Sequence, residues 1–185
     1  MNISLPETYL IGLSSLLLII AILVGRQLLK TRKDELKLTR LEKTGIAGSD
    51  DAGELYELAS VQIRKRLYPQ ASSTLRKALQ KLDSEPNEAK ALIENALGFS
   101  LAAQNDFKGA VSHYKTALKA KENYPVALNN LAFAKQRLMQ TDEAYELYNK
   151  VLKIDPTNKT AMKEFKKLQR IMVDEIDSTS NKKGF

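Results

Sequence analysis

The chain has 185 residues, of which 43% are hydrophobic and 28% charged, with a formal charge of +7, no cysteine and a single histidine, His113. This composition excludes disulfides, thiolate catalysis and zinc–thiolate sites, and with no carboxylates clustered near His113 in the sequence a transition metal has no ligand set. The positive charge is unevenly placed, seven basic residues standing against three acidic ones between Arg26 and Lys43, and no basic stripe interleaved with aromatics points to a nucleic-acid groove.

The first element in chain order is TYLIGLSSLLLIIAILVG, Thr8 to Gly25, which carries no charge; apolar character resumes at Leu28 and Leu29 after Arg26. Its 18 residues, as a helix rising 1.5 Å per residue, cover roughly 27 Å, enough for a thin bilayer core. The expectation is a single transmembrane helix within an anchor spanning residues 1–30. Arg26, Lys30, Arg32 and Lys33 flank it, and the first two reach the headgroups by snorkelling. No basic side chain precedes the apolar run and no small-x-small site follows it, so a retained anchor fits better than a cleaved signal peptide. Gly12, Ser14 and Ser15 offer a small-residue face that serves either a second span or plain lipid contact. The cations that follow the span place the rest of the chain on the cytoplasmic or stromal side, with the N-terminus across the membrane, and they suit anionic headgroups.

Residues 31–51 read as a basic juxtamembrane helix and hinge. Leu28, Leu29, Leu36, Leu38 and Leu41 keep helical spacing, either continuing the span or lying along the surface. Gly45 to Asp51 then breaks the pattern, with Ser49 or Asp50 placed to cap the next helix.

From Ala52 onward the pattern repeats. The clearest unit is 125–158, in which Leu128, Leu131, Ala132, Lys135 and Leu138 mark one helix. Ala144, Leu147, Tyr148, Val151 and Leu152 mark a second, ended by Asp155-Pro156. Shifted back by 34 residues, Leu131-Ala132 falls on Leu97-Gly98, Ala144 on Ala110, Tyr148 on Tyr114 and Val151 on Ala117. That is the tetratricopeptide period, in which paired helices bury their apolar faces only by stacking on neighbours. A more divergent unit covers about 52–85, with Leu55, Leu58 and Ala59 in its first helix, Pro69 opening the second, and Ala71, Leu75 and Ala78 following. Pro86 to Lys90 then intervenes, so the second unit is expected at 91–124. Met162, Phe165, Leu168 and Met172 share one face of a capping helix at 159–173, and 174–185 is expected to be a mobile tail. The fold class is therefore all-α: one N-terminal span, a tetratricopeptide superhelix and a C-terminal cap.

In such an array the first helix of each pair lines the concave side. The candidates there are Tyr56, Ser60 and Ile63, then Asn95, Phe99 and Ala102, then Asn129, Asn130, Phe133 and Arg137, with Lys163 and Lys167 from the capping helix. Asn95/Asn129 and Phe99/Phe133 make a ladder of amides and rings able to bind a protein segment, or the rings fill space between helices. A full basic clamp for a C-terminal carboxylate is missing, because Asn95 and Phe99 stand where lysine and asparagine are needed. With no Gly-rich phosphate loop, no HExxH pair and no His–carboxylate arrangement, the reading is a non-enzyme with no cofactor, no metal and no small-molecule or nucleic-acid partner.

Taken together, LPETYL at Leu5 to Leu10, the single span, RQLLKTRK at Arg26 to Lys33, LYPQA at Leu67 to Ala71 and the repeats that follow make the chain similar to a known family. It resembles the membrane-anchored tetratricopeptide proteins of cyanobacteria and red-algal-type plastids that assist photosystem I assembly or stability. The resemblance implies a single-pass thylakoid protein whose repeats face the stroma or cytoplasm and hold photosystem I subunits or intermediates. It carries over no subunit-binding residue. The alternatives are a bacterial inner-membrane adaptor for another envelope or secretion complex, and a regulatory adaptor for a soluble peptide.

Overall fold

A computed structural model describes residues 5–45, 51–82 and 87–182, and all of its regular structure there is helical. It divides into two units, Met1–Ala47 and Gly48–Phe185.

The first unit is one helix, α1, Leu5–Gly45. Residues Tyr9–Lys33 within it are long and apolar enough to cross a membrane. The two hydroxyls in this stretch are satisfied inside the helix: Ser14 Oγ donates to the Leu10 carbonyl at 2.7 Å and Ser15 Oγ to that of Gly12 at 2.8 Å. Neither leaves an unpaired donor in the apolar stretch. The juxtamembrane segment continues the same helix rather than starting another, because nothing from Arg26 to Thr44 breaks it. Arg26, Lys30, Arg32 and Lys33 are all exposed. Gly45 is helical, and the rest of the expected hinge up to Asp50, including Ser49, lies outside the described residues. The cap of the next helix is Asp51, whose Oδ1 accepts from Gly53 N at 2.7 Å.

The second unit is built from three helix pairs and a last helix: α2 Ala52–Arg64 with α3 Tyr68–Gln80, α4 Asn87–Ala103 with α5 Phe107–Ala120, α6 Pro125–Arg137 with α7 Thr141–Ile154, and then α8 Lys159–Lys182. Each helix packs on its neighbour in sequence. Proline opens α3 and α6, where an amide proton has no intrahelical partner anyway. Asp106 caps α5, its Oδ1 accepting from Gly109 N at 2.9 Å. Asn158 caps α8, accepting from Ala161 N at 3.0 Å.

The turn within each pair is the same object three times. Leu67 N donates to the Gln62 carbonyl at 2.8 Å, Asp106 N to Leu101 at 3.0 Å and Gln140 N to Lys135 at 3.0 Å. The residue before each of these donors is left-handed: Arg66 at φ 62°, Asn105 at 65° and Met139 at 60°. This is the Schellman ending, which satisfies the last carbonyls of the first helix and aims the chain into the second. It also fixes the register: Asn105 to Met139 is 34 residues, whereas Arg66 to Asn105 is 39. Part of that excess lies in α4, which has 17 residues against 13 in α2 and in α6. The second unit thus begins at Asn87 rather than Ala91, residues 87–90 forming an extra helical turn.

Small residues at the helix contacts bring the backbones close, and large ones fill between them. Ala59, Ala71, Ala78, Ala110 and Ala117 are fully buried with Leu75, Leu97 and Tyr114; Ala132, Ala144 and Ala161 close around Tyr148, Val151 and Leu168. Two clusters result, one centred on α2 to α5 and one on α6 to α8. The last helix does not stop near residue 173 as expected but runs to Lys182. With no glycine or proline between Pro156 and Gly184, nothing in the backbone ends it sooner. Residues 183–185, Phe185 among them, lie outside the described residues.

Candidate functional site

The concave candidates come together along α4, α6 and α8, and the structure gives the rings and the amides different partners. Phe99 meets the edge of Tyr68 at 6.3 Å and 69°, and Phe133 meets Phe107 at 6.3 Å and 71°. Tyr68 and Phe107 each open the second helix of the preceding pair, so one contact recurs in two successive repeats. The Arg137 guanidinium lies 4.9 Å from the Phe107 centroid, covering the second pair. Phe99 and Phe133 remain 41% and 45% exposed. Each therefore both packs on its neighbour and shows a face to solvent.

The amides are engaged mainly with one another. Asn130 Nδ2 donates to Asn95 Oδ1 at 3.0 Å, and Asn95 Nδ2 to Tyr124 Oη at 3.4 Å, tying α4 to α6. Burial is the first cause raising the Tyr124 hydroxyl above its ordinary range, with Tyr56 adding to it and Lys121 and Asn95 opposing. Asn129 Nδ2 donates to Asn158 Oδ1 at 3.2 Å, which joins α6 to the start of α8. Asn158 Oδ1 is already fixed by its capping bond, so Asn129 must turn its NH₂ toward it. The Asn129 carbonyl oxygen is then buried without a donor. The register explains why: the residue in α8 equivalent to Asn130 is Glu164, which as a carboxylate only accepts.

The aromatic ladder ends at the same place. One repeat beyond Phe133 and Phe107 stand Lys167 and Thr141, and among the described residues no ring closes the gap between α6 and α8. A groove of about 730 Å³ opens there, lined by Asn129, Asn130, Phe133, Arg137, Met139, Thr141, Lys167 and Ile171 among others. At its floor Tyr148 Oη donates to Gln136 Oε1 at 3.5 Å, and Gln136 Nε2 to Glu164 Oε2 at 3.4 Å. The Tyr148 hydroxyl is raised far above its ordinary range, by burial first and then by Glu164. Lys163 does not line this groove; it borders the adjoining hollow with Lys166, Lys167, Arg170 and Ile171. Ser60, Ile63 and Ala102 are half-buried.

Two groups were misjudged from the sequence. His113, expected to stand apart from carboxylates, has Nδ1 2.7 Å from Oε2 of the buried Glu94, 19 residues away. The pair links α4 to α5, and no local spacing announces it. The rings of Tyr68 and Phe107 were not counted among the concave groups. Their signal is the repeat register itself, two residues after each left-handed residue.

Comparison with known proteins bears on most of the chain. The tetratricopeptide repeat family model matches residues 101–168. The chloroplastic tetratricopeptide repeat domain-containing protein PYG7 of Arabidopsis thaliana is 32% identical over 160 residues, covering 86% of this chain and 53% of that protein, so the chain spans about half of that relative's length. The ycf37 protein of Guillardia theta is 30% identical over 161 residues, covering 87% of this chain and 90% of its own. Among solved structures, the first tetratricopeptide domain of Spaghetti (RPAP3) bound to an HSP90 peptide superposes with a TM-score of 0.61 at 22% identity, covering 70% of this chain and 99% of that domain.

Proposed function

Because the chain belongs to the ycf37 family of tetratricopeptide-repeat proteins, a fold typical of protein-interaction scaffolds, we propose that it is a non-catalytic, membrane-tethered assembly factor that holds photosystem I subunits or intermediates. The observation that carries this reading is the joining, in one chain, of a span-length apolar helix at Tyr9–Lys33 to a repeat unit with half-exposed rings at Phe99 and Phe133. The tether raises the local concentration of the repeats at a membrane, so a modest groove affinity suffices to hold a membrane-bound partner. The plastid relative and the family resemblance support a thylakoid location. The cations at Arg26, Lys30, Arg32 and Lys33 support an orientation with the repeats on the stromal or cytoplasmic side.

The test is a mild-detergent pull-down of the full-length protein with mass spectrometry. Photosystem I subunits are expected among the recovered proteins, and their consistent absence while other membrane complexes are recovered sinks the proposal. Recovery of envelope or secretion components instead identifies the inner-membrane adaptor reading. Joint replacement Phe99→Ala and Phe133→Ala is expected to weaken capture while preserving helicity, because each ring is only about half buried and its edge contact contributes about 0.5–1.5 kcal/mol. Loss of folding makes them core residues and removes them from the site.

A further inference from the structure

The third rung of the concave ladder lacks its ring, and this vacancy has a definite chemistry around it. In the first two rungs a phenylalanine from one repeat closes onto the aromatic that opens the preceding second helix. In the third, Lys167 and Thr141 occupy those positions and both line the open groove. Met139 stands at its rim, 86% exposed and left-handed. An exposed thioether beside a half-exposed Phe133 is a surface suited to an aromatic or large aliphatic side chain from outside.

The charge beside the groove selects the rest of the occupant. From 159 to 173, α8 carries five basic residues and one acidic, Glu164, and Glu164 is held at the groove floor by Gln136. Lys163, Lys166, Lys167 and Arg170 gather along the adjoining hollow, and none of the four has an ion-pair partner among the described residues. Elsewhere in the repeat unit cross-helix ion pairs occur, as between Lys121 and Glu88 at 2.7 Å, whereas these four cations sit together with no carboxylate partner among the described residues. The chain itself supplies a poor occupant, since its net charge is +7 and its last ring, Phe185, follows Lys182 and Lys183. A lipid surface meets the cations but does not enter a concave groove.

We infer that the groove between α6 and α8 is the anchoring end of the docking surface, and that it takes an acidic segment of a partner protein carrying one aromatic or large apolar residue. The side chain supplies the missing third ring against Phe133 and Ile171, and the flanking carboxylates lie on Lys163, Lys166, Lys167 and Arg170. This inference rests on the scaffold reading above and names the chemistry of the partner and the part of the concave face that holds it.

The test uses the full chain in zwitterionic nanodiscs, and since the protein has no cysteine a single label can be placed at Thr160→Cys in the groove or Ser112→Cys on α5. The probe is a short synthetic peptide of glutamates around one tryptophan. It is expected to change the signal of the Thr160→Cys label and leave that of Ser112→Cys unchanged. Replacing its tryptophan with alanine, or its glutamates with lysines, weakens binding at least about tenfold, the loss expected on removing a central anchor. In the protein, Lys167→Phe completes the ladder internally and abolishes binding, while Lys167→Gln, which removes the charge without filling the space, weakens it less. Binding unaffected by Lys167→Phe overturns the inference, as does a response confined to Ser112→Cys. It is also overturned if only phosphatidylglycerol added to the nanodiscs, and not the peptide, moves the Thr160→Cys signal. The two proposals fail separately: photosystem I subunits captured equally by wild type and Lys167→Phe remove the groove and keep the scaffold, whereas peptide binding without any capture does the reverse.

Discussion

A β-carbon on residue 98 would stand 2.7 Å from Cε1 of Tyr114, so the glycine of α4 is the space that the tyrosine ring of α5 occupies. Tyr114 is fully buried, and burial raises its hydroxyl far above the ordinary range. The ring has no open side to move into. Gly98→Ala gains up to about 1 kcal/mol of helix propensity but forces overpacking that costs about 1–3 kcal/mol. The expected net effect is a loss of about 1 kcal/mol, read by chemical denaturation. Tyr114→Leu alone leaves a cavity. The two together reproduce Ala59 and Leu75, the equivalent pair of the first repeat, so the double variant should be more stable than the sum of the single effects predicts. Additive losses would show that the ring and the glycine do not share this space.

The left-handed turn residues give a stabilising series. A non-glycine residue in this conformation costs about 1–2 kcal/mol, and asparagine tolerates it better than most. Arg66→Gly and Met139→Gly should therefore each raise the thermal midpoint, by the equivalent of about 1 kcal/mol, and Asn105→Gly by less. A fall in midpoint for Arg66→Gly would mean that its side chain contributes more than its backbone conformation costs.

How much of this was legible in the sequence follows from what each signal measures. The 34-residue spacing of Ala110/Ala144 and Tyr114/Tyr148 reports packing that every repeat must satisfy, so it gave the architecture. The extra turn of α4 was hidden because residues 87–90 look like linker beside Pro86. Arg66 and Met139 gave no turn signal, since the Schellman ending normally announces itself by glycine. Of the candidate site, Phe99 and Phe133 were visible by register. Asn95 and Asn130 bonding each other was not, because a hydrogen bond between repeats depends on helix orientation rather than spacing. The Glu94–His113 pair escaped for the same reason.

Position 135 and its equivalents carry three different solutions to one buried place. Lys135 is 6% exposed and its Nζ lies 2.7 Å from Glu143 Oε2, Leu101 is buried in the second repeat, and Gln62 is buried in the first with its Oε1 unpaired. The leucine shows that the fold accepts an aliphatic side chain there. Gln62→Leu removes an unsatisfied acceptor and is expected to stabilise by about 1 kcal/mol. Lys135→Leu is expected to be neutral or slightly stabilising, whereas Glu143→Gln, which strands the ammonium, should cost about 1 kcal/mol because Glu143 is itself half exposed. Equilibrium unfolding of the three variants checks the order Gln62→Leu above wild type above Glu143→Gln. Destabilisation by Gln62→Leu would show that the amide nitrogen, rather than the oxygen, governs that site.

Asp155 couples pH to the seating of α8. Its Oδ1 accepts from Thr157 Oγ1 at 2.8 Å and Thr157 N at 3.1 Å, and its Oδ2 from Asn158 Nδ2 at 3.2 Å. The Thr157 hydroxyl, then Asn158, hold the carboxyl below its ordinary range. Asn158, oriented in this way, caps α8 through Ala161 N and receives Asn129 from α6. A carboxyl depressed in the folded state gives stability that is complete above the ordinary carboxylate range and disappears as pH falls through the lower folded value. Protection of the Ala161 amide from hydrogen exchange should thus be flat between about pH 7 and 5 and fall only in more acid solution, beneath the ordinary range. Glu88 is likewise held below its ordinary range, by Lys121, so Glu88→Gln serves as the control that leaves the Ala161 response intact. Asp155→Asn keeps an acceptor for Thr157 but sets an NH₂ group against that of Asn158. It should lower Ala161 protection already near neutral pH and remove the Asp155 part of the acid response. If Ala161 in Asp155→Asn titrates as in wild type, the capping of α8 does not depend on this carboxylate.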